Sequence, residues 1–319
     1  MKKALLVGIN YPGTAAELRG CVNDVELMSE IVNKHYDFDQ VKIVTDNDAT
    51  TSRILRELDI LVNNAKAGDY LYFHFSGHGV QMPTTVNAID GLDECICPSD
   101  FNWRQNVIRD SDMKRIFDRV PYGARFTVIL DCCHSGHGLN QENQYQPFGL
   151  ARMMGFEDTP RTMPGIPDSI KEEVEKRKLT HARSIQSLDR SVNLSGLLVA
   201  TSQSHQTSAD AWISGRWIGA GTHYIAECLT RHDYEVDYKT MMDEINGHLK
   251  ASRFTQRPEL NGPAGLFADP VFGSRGSTPA VLDPDSVVHY TPDPIEKPKK
   301  DNPIKLLINF ILRLFGLKR

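Results

Sequence analysis

The chain has 319 residues, with 36 Lys and Arg against 41 Asp and Glu and a formal charge of −5. With 24% charged and 40% hydrophobic residues, it has the composition of an ordinary soluble globular protein, which excludes collagen-like, disordered and multi-spanning membrane chains. There is no global basic field to attract nucleic acid, so no nucleic-acid partner is expected. The charge is uneven, because residues 297–319 hold seven Lys and Arg and one Asp. Six cysteines (Cys21, Cys95, Cys97, Cys132, Cys133 and Cys228) are too few for a disulfide scaffold and have no C-x-x-C spacing. The opening Met1–Asn10 segment has two lysines and a short apolar run with no small-residue cleavage site after it. It reads as a buried first strand in a reducing compartment, so a cytoplasmic location is expected.

Along the chain, strands are predicted at Ala4–Ile9, Val41–Val44, Tyr70–Phe75, Thr127–Leu130 and Leu197–Ala200. Helices are predicted between them at Cys21–Asn33, Thr51–Ala65 and Asp112–Arg119, with a further helix around Tyr224–Leu229. In the second of these, Ile54, Leu55, Leu58, Leu61 and Val62 recur at the spacing of one apolar helix face. Strands alternating with helices imply an α/β fold, a mainly parallel sheet flanked by helices on both sides. Function in such sheets gathers at the carboxyl ends of the strands. Residues 140–192 form a long polar insert carrying Arg152, Arg161, Lys171, Lys176, Arg177, Lys178, Arg183 and Arg190. Residues 277–303 contain six prolines and read as a semi-extended linker.

Two strand ends carry chemistry. The run YLYFHFSGHG, residues 70–79, leads into Ser76, Gly77, His78 and Gly79. The run FTVILDCCHSGHG, residues 126–138, leads into Asp131, Cys132, Cys133 and His134. Glycines flanking a His or a Cys let the chain turn sharply after a strand and let a substrate approach. A thiol nucleophile needs a base or cation nearby. Neighbouring parallel strands would bring His78 and Cys133 together, and backbone N–H groups of the same turns would form an oxyanion hole. His74 is expected to point into the strand packing.

The segments LRGCVNDV (18–25), HFSGHG (74–79), DGLDECICPSD (90–100), DCCHSG (131–136), ATSQSHQTSAD (200–210) and TQRPELNG (255–262) resemble the metacaspases, a family of caspase-like cysteine peptidases, in a compact form without an N-terminal prodomain. The resemblance implies a caspase-like three-layer sandwich, with a large-subunit-like region over 1–139, a processing loop over 140–192 and a small-subunit-like region over 193–272. It implies a cysteine endopeptidase in which His78 is the base and Cys133 the nucleophile, with the amides of Gly79 and Cys133 as the oxyanion hole. It also implies an acidic first specificity pocket formed by Cys21, Asp24, Ser76 and Asp131, with Asp210 at its rim. Cleavage would then follow Arg or Lys, because carboxylates in a desolvated cleft favour a cation and bidentate geometry favours Arg. Taken alone, Asp24 reads equally as a charge in the first turn of a helix. A catalytically silent or conditional caspase-like scaffold is the competing reading.

Calcium is the metal that the resemblance implies, with Asp93, Asp110, Asp112 and Asn140 as its ligands. Calcium takes several hard oxygens, and an amide at Asn140 weakens such a site. Solvated acidic loops are the alternative. The basic insert, placed next to an acidic pocket, leads to an expectation of self-cleavage within residues 150–190. No organic cofactor is expected. In the last segment, 304–319, Lys305, Asn309 and Arg313 form a narrow polar stripe on an otherwise Ile, Leu and Phe surface. At sixteen residues it is short for a membrane span and suits a helix lying on an anionic membrane surface or docking on a protein partner.

Overall fold

The computed structural model describes residues 1–84, 91–133, 158–181, 196–203, 206, 208–273 and 287–292. Short, almost wholly apolar runs form the strands, and stretches with helical apolar spacing form the helices. In chain order the elements are β1 (Lys2–Gly8), α1 (Cys21–His35), β2 (Gln40–Thr45), α2 (Thr51–Asn63), β3 (Tyr70–Ser76), β4 (Gly79–Pro83), β5 (Leu92–Ile96), β6 (Ile108–Arg109), α3 (Asp110–Phe117) and β7 (Arg125–Asp131). They continue with β8 (Thr159–Pro160), α4 (Asp168–His181), β9 (Gly196–Ala200), β10 (Ala209–Ile213), β11 (Arg216–Gly219), α5 (Ala220–Arg231), α6 (Tyr238–Ala251), β12 (Glu259–Pro263) and β13 (Val287–Tyr290).

Seven strands form the central sheet in the order β13-β12-β9-β7-β3-β1-β2. The five from β9 to β2 are parallel, and β12 and β13 add antiparallel pairs at one end. Alternate residues of the inner strands feed two separate cores. Leu5, Val7, Leu71, Phe73, Val128 and Leu130 pack with Ile54, Leu58 and Ile116 on the α2/α3 side. Ala4, Leu6, Tyr72 and Ile129 pack with Val25, Met28, Ile225 and Met241 on the α1/α5/α6 side. Strands buried on both faces are therefore apolar at most inner positions, as the sequence suggested, with His74 and Thr127 as buried polar exceptions. The result is the mixed α/β architecture of the caspase-like fold, with helices on both faces of a mostly parallel sheet.

Local chemistry explains where elements differ from the sequence reading. Helix α3 begins at Asp110, two residues before the predicted start, because Asp112 reaches back to accept the Arg109 backbone N–H at 3.1 Å and so ties down the first turn. The insert carries β8 and the helix α4 among its described residues. The stretch read as a linker contributes the edge strand β13, with Leu260 opposite Tyr290. The run Val287–Tyr290 is free of proline and rich in β-branched and aromatic side chains, and the flanking Pro284 and Pro292 lie outside the strand. Residues 304–319 lie outside the described residues. Among the described residues no helix is long and apolar enough to cross a membrane.

Burial separates the core side chains from those on the outer helix faces. Leu6 has no exposed surface, and Leu6→Ala should lower unfolding free energy by about 2–5 kcal/mol. Ile60, on the outer side of α2, is 50% exposed, and Ile60→Ala should stay within about 0.5 kcal/mol. Urea unfolding of both variants in a Cys133→Ala background measures the contrast.

Candidate active site

Parallel register places the two chemical strand ends side by side. Ser76, the last residue of β3, lies opposite Asp131, the last residue of β7, and also opposite Gly8 of β1. His78 follows one turn and Cys133 the other. Both are buried, at 2% and 0% exposure. His78 is fixed from two sides. Its Nε2 lies 2.7 Å from the Ala16 carbonyl, and its backbone N–H donates to the Tyr11 hydroxyl at 3.0 Å. A carbonyl can only accept, so Nε2 carries the proton and Nδ1 presents a lone pair. That Nδ1 is buried and has no hydrogen-bond partner. The Cys133 Sγ accepts the Ser208 N–H at 2.5 Å. Burial drives both groups toward neutrality, the His78 imidazole down to about 4 and the Cys133 thiol up to about 12.

Beside them is a pocket whose walls are carboxylates. Asp24 comes from the first turn of α1, Asp131 from the end of β7 and Asp210 from β10, and each side chain is fully buried. Neutral donors hold each one. Asp24 Oδ1 accepts the Gly219 N–H at 2.8 Å. Asp131 accepts Thr201 Oγ1 at 2.8 Å, Ser208 Oγ at 2.5 Å, and the Thr222 N–H and Oγ1 at 2.9 and 2.7 Å. Asp210 accepts the amides of Arg19 and Gly20 at 2.8 and 3.0 Å. The wall admits no side chain at Gly219, where a Cβ would strike Asp131 Oδ2 and the Arg161 guanidinium.

The pocket is filled by Arg161 from the same chain, with none of its side chain exposed. Its Nη2 donates to Asp24 Oδ2 at 2.7 Å and to Asp210 Oδ1 at 2.9 Å. Its Nη1 donates to Ser76 Oγ at 2.7 Å and lies 3.3 Å from Asp131 Oδ2. Ser76 Oγ in turn donates to Asp24. The Arg161 carbonyl accepts the Gly79 N–H at 3.0 Å and the Cys133 N–H at 3.3 Å. The flanking chain is extended, with Thr159 opposite Asp210 and Pro160 opposite Ala209 in antiparallel pairing. The Arg161 N–H bonds the Ser208 carbonyl at 3.0 Å, and the Met163 N–H bonds the Gly79 carbonyl at 3.3 Å. Residues 159–163 thus lie across the two strand ends in the pose of a peptide whose carbonyl faces two converging N–H donors beside a thiol.

Charge accounts for the protonation pattern. Burial raises the Asp24 carboxyl to about 6 although the Arg161 guanidinium pulls it down. Burial works the same way on Asp131, but there Arg161 and the Ser208 and Thr222 bonds together win and hold it below its ordinary value. One guanidinium faces three carboxylates, and Asp24 takes a proton more readily than Asp131.

A family model described as metacaspase, peptidase C14 domain, matches residues 2–142. Metacaspase-4 of Arabidopsis thaliana is 45% identical over 154 residues, which cover 46% of this chain and 36% of that protein. Metacaspase-1A of Aspergillus oryzae is 30% identical over 299 residues, covering 86% of this chain and 71% of the relative. The chain belongs to the metacaspase family. It spans between about a third and three-fifths of the length of the first curated relatives it matches. A crystal structure from Geobacter sulfurreducens covers 88% of this chain at a TM-score of 0.59 and 22% identity, a likeness of fold.

In this metacaspase the residues expected in the pocket come together. Asp24, Ser76, Asp131 and Asp210 all contact the same guanidinium, and Asp210 binds it directly rather than standing at a rim. Cys21 is buried within electrostatic reach of Arg161, and burial pushes its thiol well up. Cys132 is buried in the core. His74 is buried, with Nδ1 2.7 Å from the Tyr72 hydroxyl, and burial lowers it to about 4.

The described acidic residues expected at calcium are engaged with protein partners. Asp93 is paired with Arg109 at 2.5 Å. Asp112 caps α3 and pairs with Arg115, and Asp110 Oδ1 accepts the Ser111 N–H. Two of the three acids are neutralised by arginines and helix amides, and among the described residues their oxygens do not gather into a three-ligand cluster. Asn140 lies outside the described residues.

Several residues of the site had no local signal in the sequence. Ala16 and Tyr11 orient His78, and Thr201, Ser208 and Thr222 hold Asp131. Gln256 braces the pocket loop through the Ala209 N–H and the Thr201 carbonyl, both at 3.0 Å. Thr201 and Ser208 lie in the quoted ATSQSHQTSAD segment and Gln256 in TQRPELNG, so segment resemblance marks them without assigning a role.

Removing the guanidinium strands three buried carboxylates. In a Cys133→Ala background, Arg161→Ala should cost about 3–5 kcal/mol at neutral pH. The Asp24 carboxyl sits at about 6 with Arg161 pulling it down, so without the guanidinium it takes a proton at higher pH, and the penalty should shrink as pH falls toward 6. Urea titrations at about pH 5 and about pH 8, on either side of that value, measure the difference.

Proposed function

We propose that the chain is a cysteine endopeptidase that cleaves after Arg, and less readily after Lys, and that its first substrate is its own Arg161–Thr162 bond. The observation that supports this reading is the placement of Arg161: its guanidinium sits among Asp24, Asp131 and Asp210 while its carbonyl accepts the Gly79 and Cys133 amides. A cation in an acidic pocket and a carbonyl between two N–H donors are the two halves of an acyl-transfer site.

The chemistry follows from the neutral dyad. The Cys133 Sγ attacks the Arg161 carbonyl carbon while its proton passes to His78 Nδ1, whose lone pair is free because Nε2–H is held by Ala16. The oxyanion gains the two amide bonds in strengthened form. Collapse breaks the Arg161–Thr162 C–N bond, and the leaving amine takes the proton from His78. Water then adds to the thioester with His78 as base, releasing the Arg161 carboxylate and restoring the thiol. No step is assigned to calcium.

Arg is favoured over Lys because the guanidinium uses Nη1 and Nη2 on different partners at once, whereas an ammonium is a single point charge on a shorter stem. Losing one such charged hydrogen bond is worth about 1.5–3 kcal/mol, so kcat/KM on matched peptides should fall at least about tenfold from Arg to Lys. Asp at the same position should give no cleavage.

Mass spectrometry of the purified chain tests self-processing. Fragments ending at Arg161 and beginning at Thr162 are expected from the wild type, and an intact chain from Cys133→Ala and from His78→Ala. Arg161→Gln should block that cut while a processed enzyme still turns over Arg peptides. An intact, inactive wild type would favour the silent scaffold, and cleavage at other bonds only would remove Arg161 as the self-substrate.

A further inference from the structure

Helix α5, whose first turn supports Asp131 through Thr222, carries a second cluster at its other end. Cys228 lies in the last turns of α5, and His232 is its C-cap residue, four positions on. Residues i and i+4 face the same side of a helix end. Glu244, on the packed helix α6, faces them. One ligand atom from each of Cys228, His232 and Glu244 lies within 4.8 Å of the other two. Among the described residues no other group of three His, Cys, Asp or Glu side chains meets that condition.

The geometry points to a zinc site. We propose that Cys228 Sγ, His232 Nε2 and Glu244 Oε1 together bind one Zn²⁺ ion, with solvent as the fourth ligand. Tetrahedral zinc with bonds of about 2.0–2.3 Å separates its ligand atoms by about 3.3–3.7 Å. Reaching that spacing takes shifts of about 1.5 Å at most, with the His232 and Glu244 atoms moving slightly apart and the Cys228 sulfur moving in. His232 Nε2 already lies 2.6 Å from Glu244 Oε1, so both point into the common space. Arg231 does not block it, because its Nη1 donates to the other oxygen, Glu244 Oε2, at 3.0 Å. A guanidinium on the non-ligating oxygen is the kind of outer contact that orients a metal-bound carboxylate. His248 accepts from the same Arg231 Nη1 at 2.7 Å.

The chemistry of the donors selects the metal. A thiol, an imidazole and one carboxylate form a borderline-soft set suited to zinc, whereas calcium and magnesium require oxygens alone. Binding releases the thiol proton to solvent as the Zn–S bond forms, and the imidazole proton leaves Nε2, where it is shared with Glu244, so that Nδ1 carries the ring's one proton; thiolate, carboxylate and neutral imidazole then give an overall neutral centre with Zn²⁺. The thiol is 1% exposed, while His232 and Glu244 are partly exposed and provide the entry side. Bridging α5 to α6 would brace the helix that holds Asp131.

The test uses the full chain carrying Cys133→Ala, which stays uncut and lacks the reactive thiol. After dialysis against a chelator, Zn²⁺ should bind at one equivalent by calorimetry. Co²⁺ should give a thiolate-to-metal charge-transfer band with tetrahedral d–d bands. Cys228→Ala should abolish the charge-transfer band, and Glu244→Gln and His232→Ala should each weaken Zn²⁺ binding at least tenfold. Unchanged thermal unfolding of the metal-free variants would show that the fold is kept. Where a variant unfolds, zinc protection of the Cys228 thiol from alkylation in the unsubstituted site gives the same answer. Absence of one-equivalent binding, or binding and a charge-transfer band unchanged by Cys228→Ala, would overturn the proposal.

Discussion

Three buried carboxylates that must coexist within reach of one guanidinium are the constraint around which the active end of this molecule is arranged. Asp24, Asp131 and Asp210 come from α1, β7 and β10, elements far apart in the chain. Like charges out of water repel strongly and lose hydration. They persist because each accepts fixed neutral donors: Gly219 for Asp24, Thr201, Ser208 and Thr222 for Asp131, and Arg19 and Gly20 amides for Asp210. Arg161 completes the compensation, and its own guanidinium is held firmly charged by the same acids. The pocket is thus incomplete as an electrostatic object until a cation enters it. That requirement explains why a peptide segment of the chain itself occupies the cleft.

The sheet makes the convergence possible. Parallel β1, β3 and β7 end in register at Gly8, Ser76 and Asp131, so the segments that follow them emerge on one edge of the sheet. Tight packing at Gly79, where a Cβ would collide with the Cys133 carbonyl, keeps the two turns close enough to share one acceptor. A bulkier residue there would separate the two N–H donors. The hydroxyls that hold Asp131 come from the far side, from Thr201 after β9, from Ser208 just before β10 and from the start of α5. The site is therefore assembled from both halves of the fold, and none of its parts is complete within one half.

How much of this was legible in the sequence depended on how local the cause was. The inner strands announced themselves because burial on both faces leaves only apolar residues. His78 and Cys133 were legible because glycine-flanked turns after apolar strands are short-range patterns. Arg161 was one of eight basic residues in the insert, and nothing around it sets it apart. Its distinction is that β8 pairs with β10 in a register that delivers its side chain to Asp24 and Asp210. That is a long-range fact. Ala16, Thr222 and Gln256 are of the same kind, ordinary residues whose roles come from what lies opposite them. The acidic run around Asp93 pointed to a metal, but Arg109, sixteen residues on, neutralises Asp93. Proline content likewise hid β13, since four residues between prolines suffice for an edge strand.

On the mechanism proposed above, the neutral His78 and Cys133 and the seated segment have a joint consequence for how the two half-reactions proceed. With the cleft covered, burial keeps Cys133 as a thiol and His78 as an imidazole, so no ion pair waits in the resting site. Acylation suits such a closed cleft, because the proton moves as the Sγ–carbon bond forms and excluded water cannot compete. Deacylation does not suit it, because water must reach the thioester. The leaving side is held by the Met163 N–H on the Gly79 carbonyl at 3.3 Å. That bond lies on the Thr162 side of the proposed scissile bond, and the acyl side is held independently by Arg161 in its pocket and by the Gly79 N–H on the Arg161 carbonyl. Departure of the Thr162 side therefore opens the thioester to water without loosening the guanidinium. On the proposed mechanism, water reaches the thioester only after the Met163 N–H lets go of the Gly79 carbonyl.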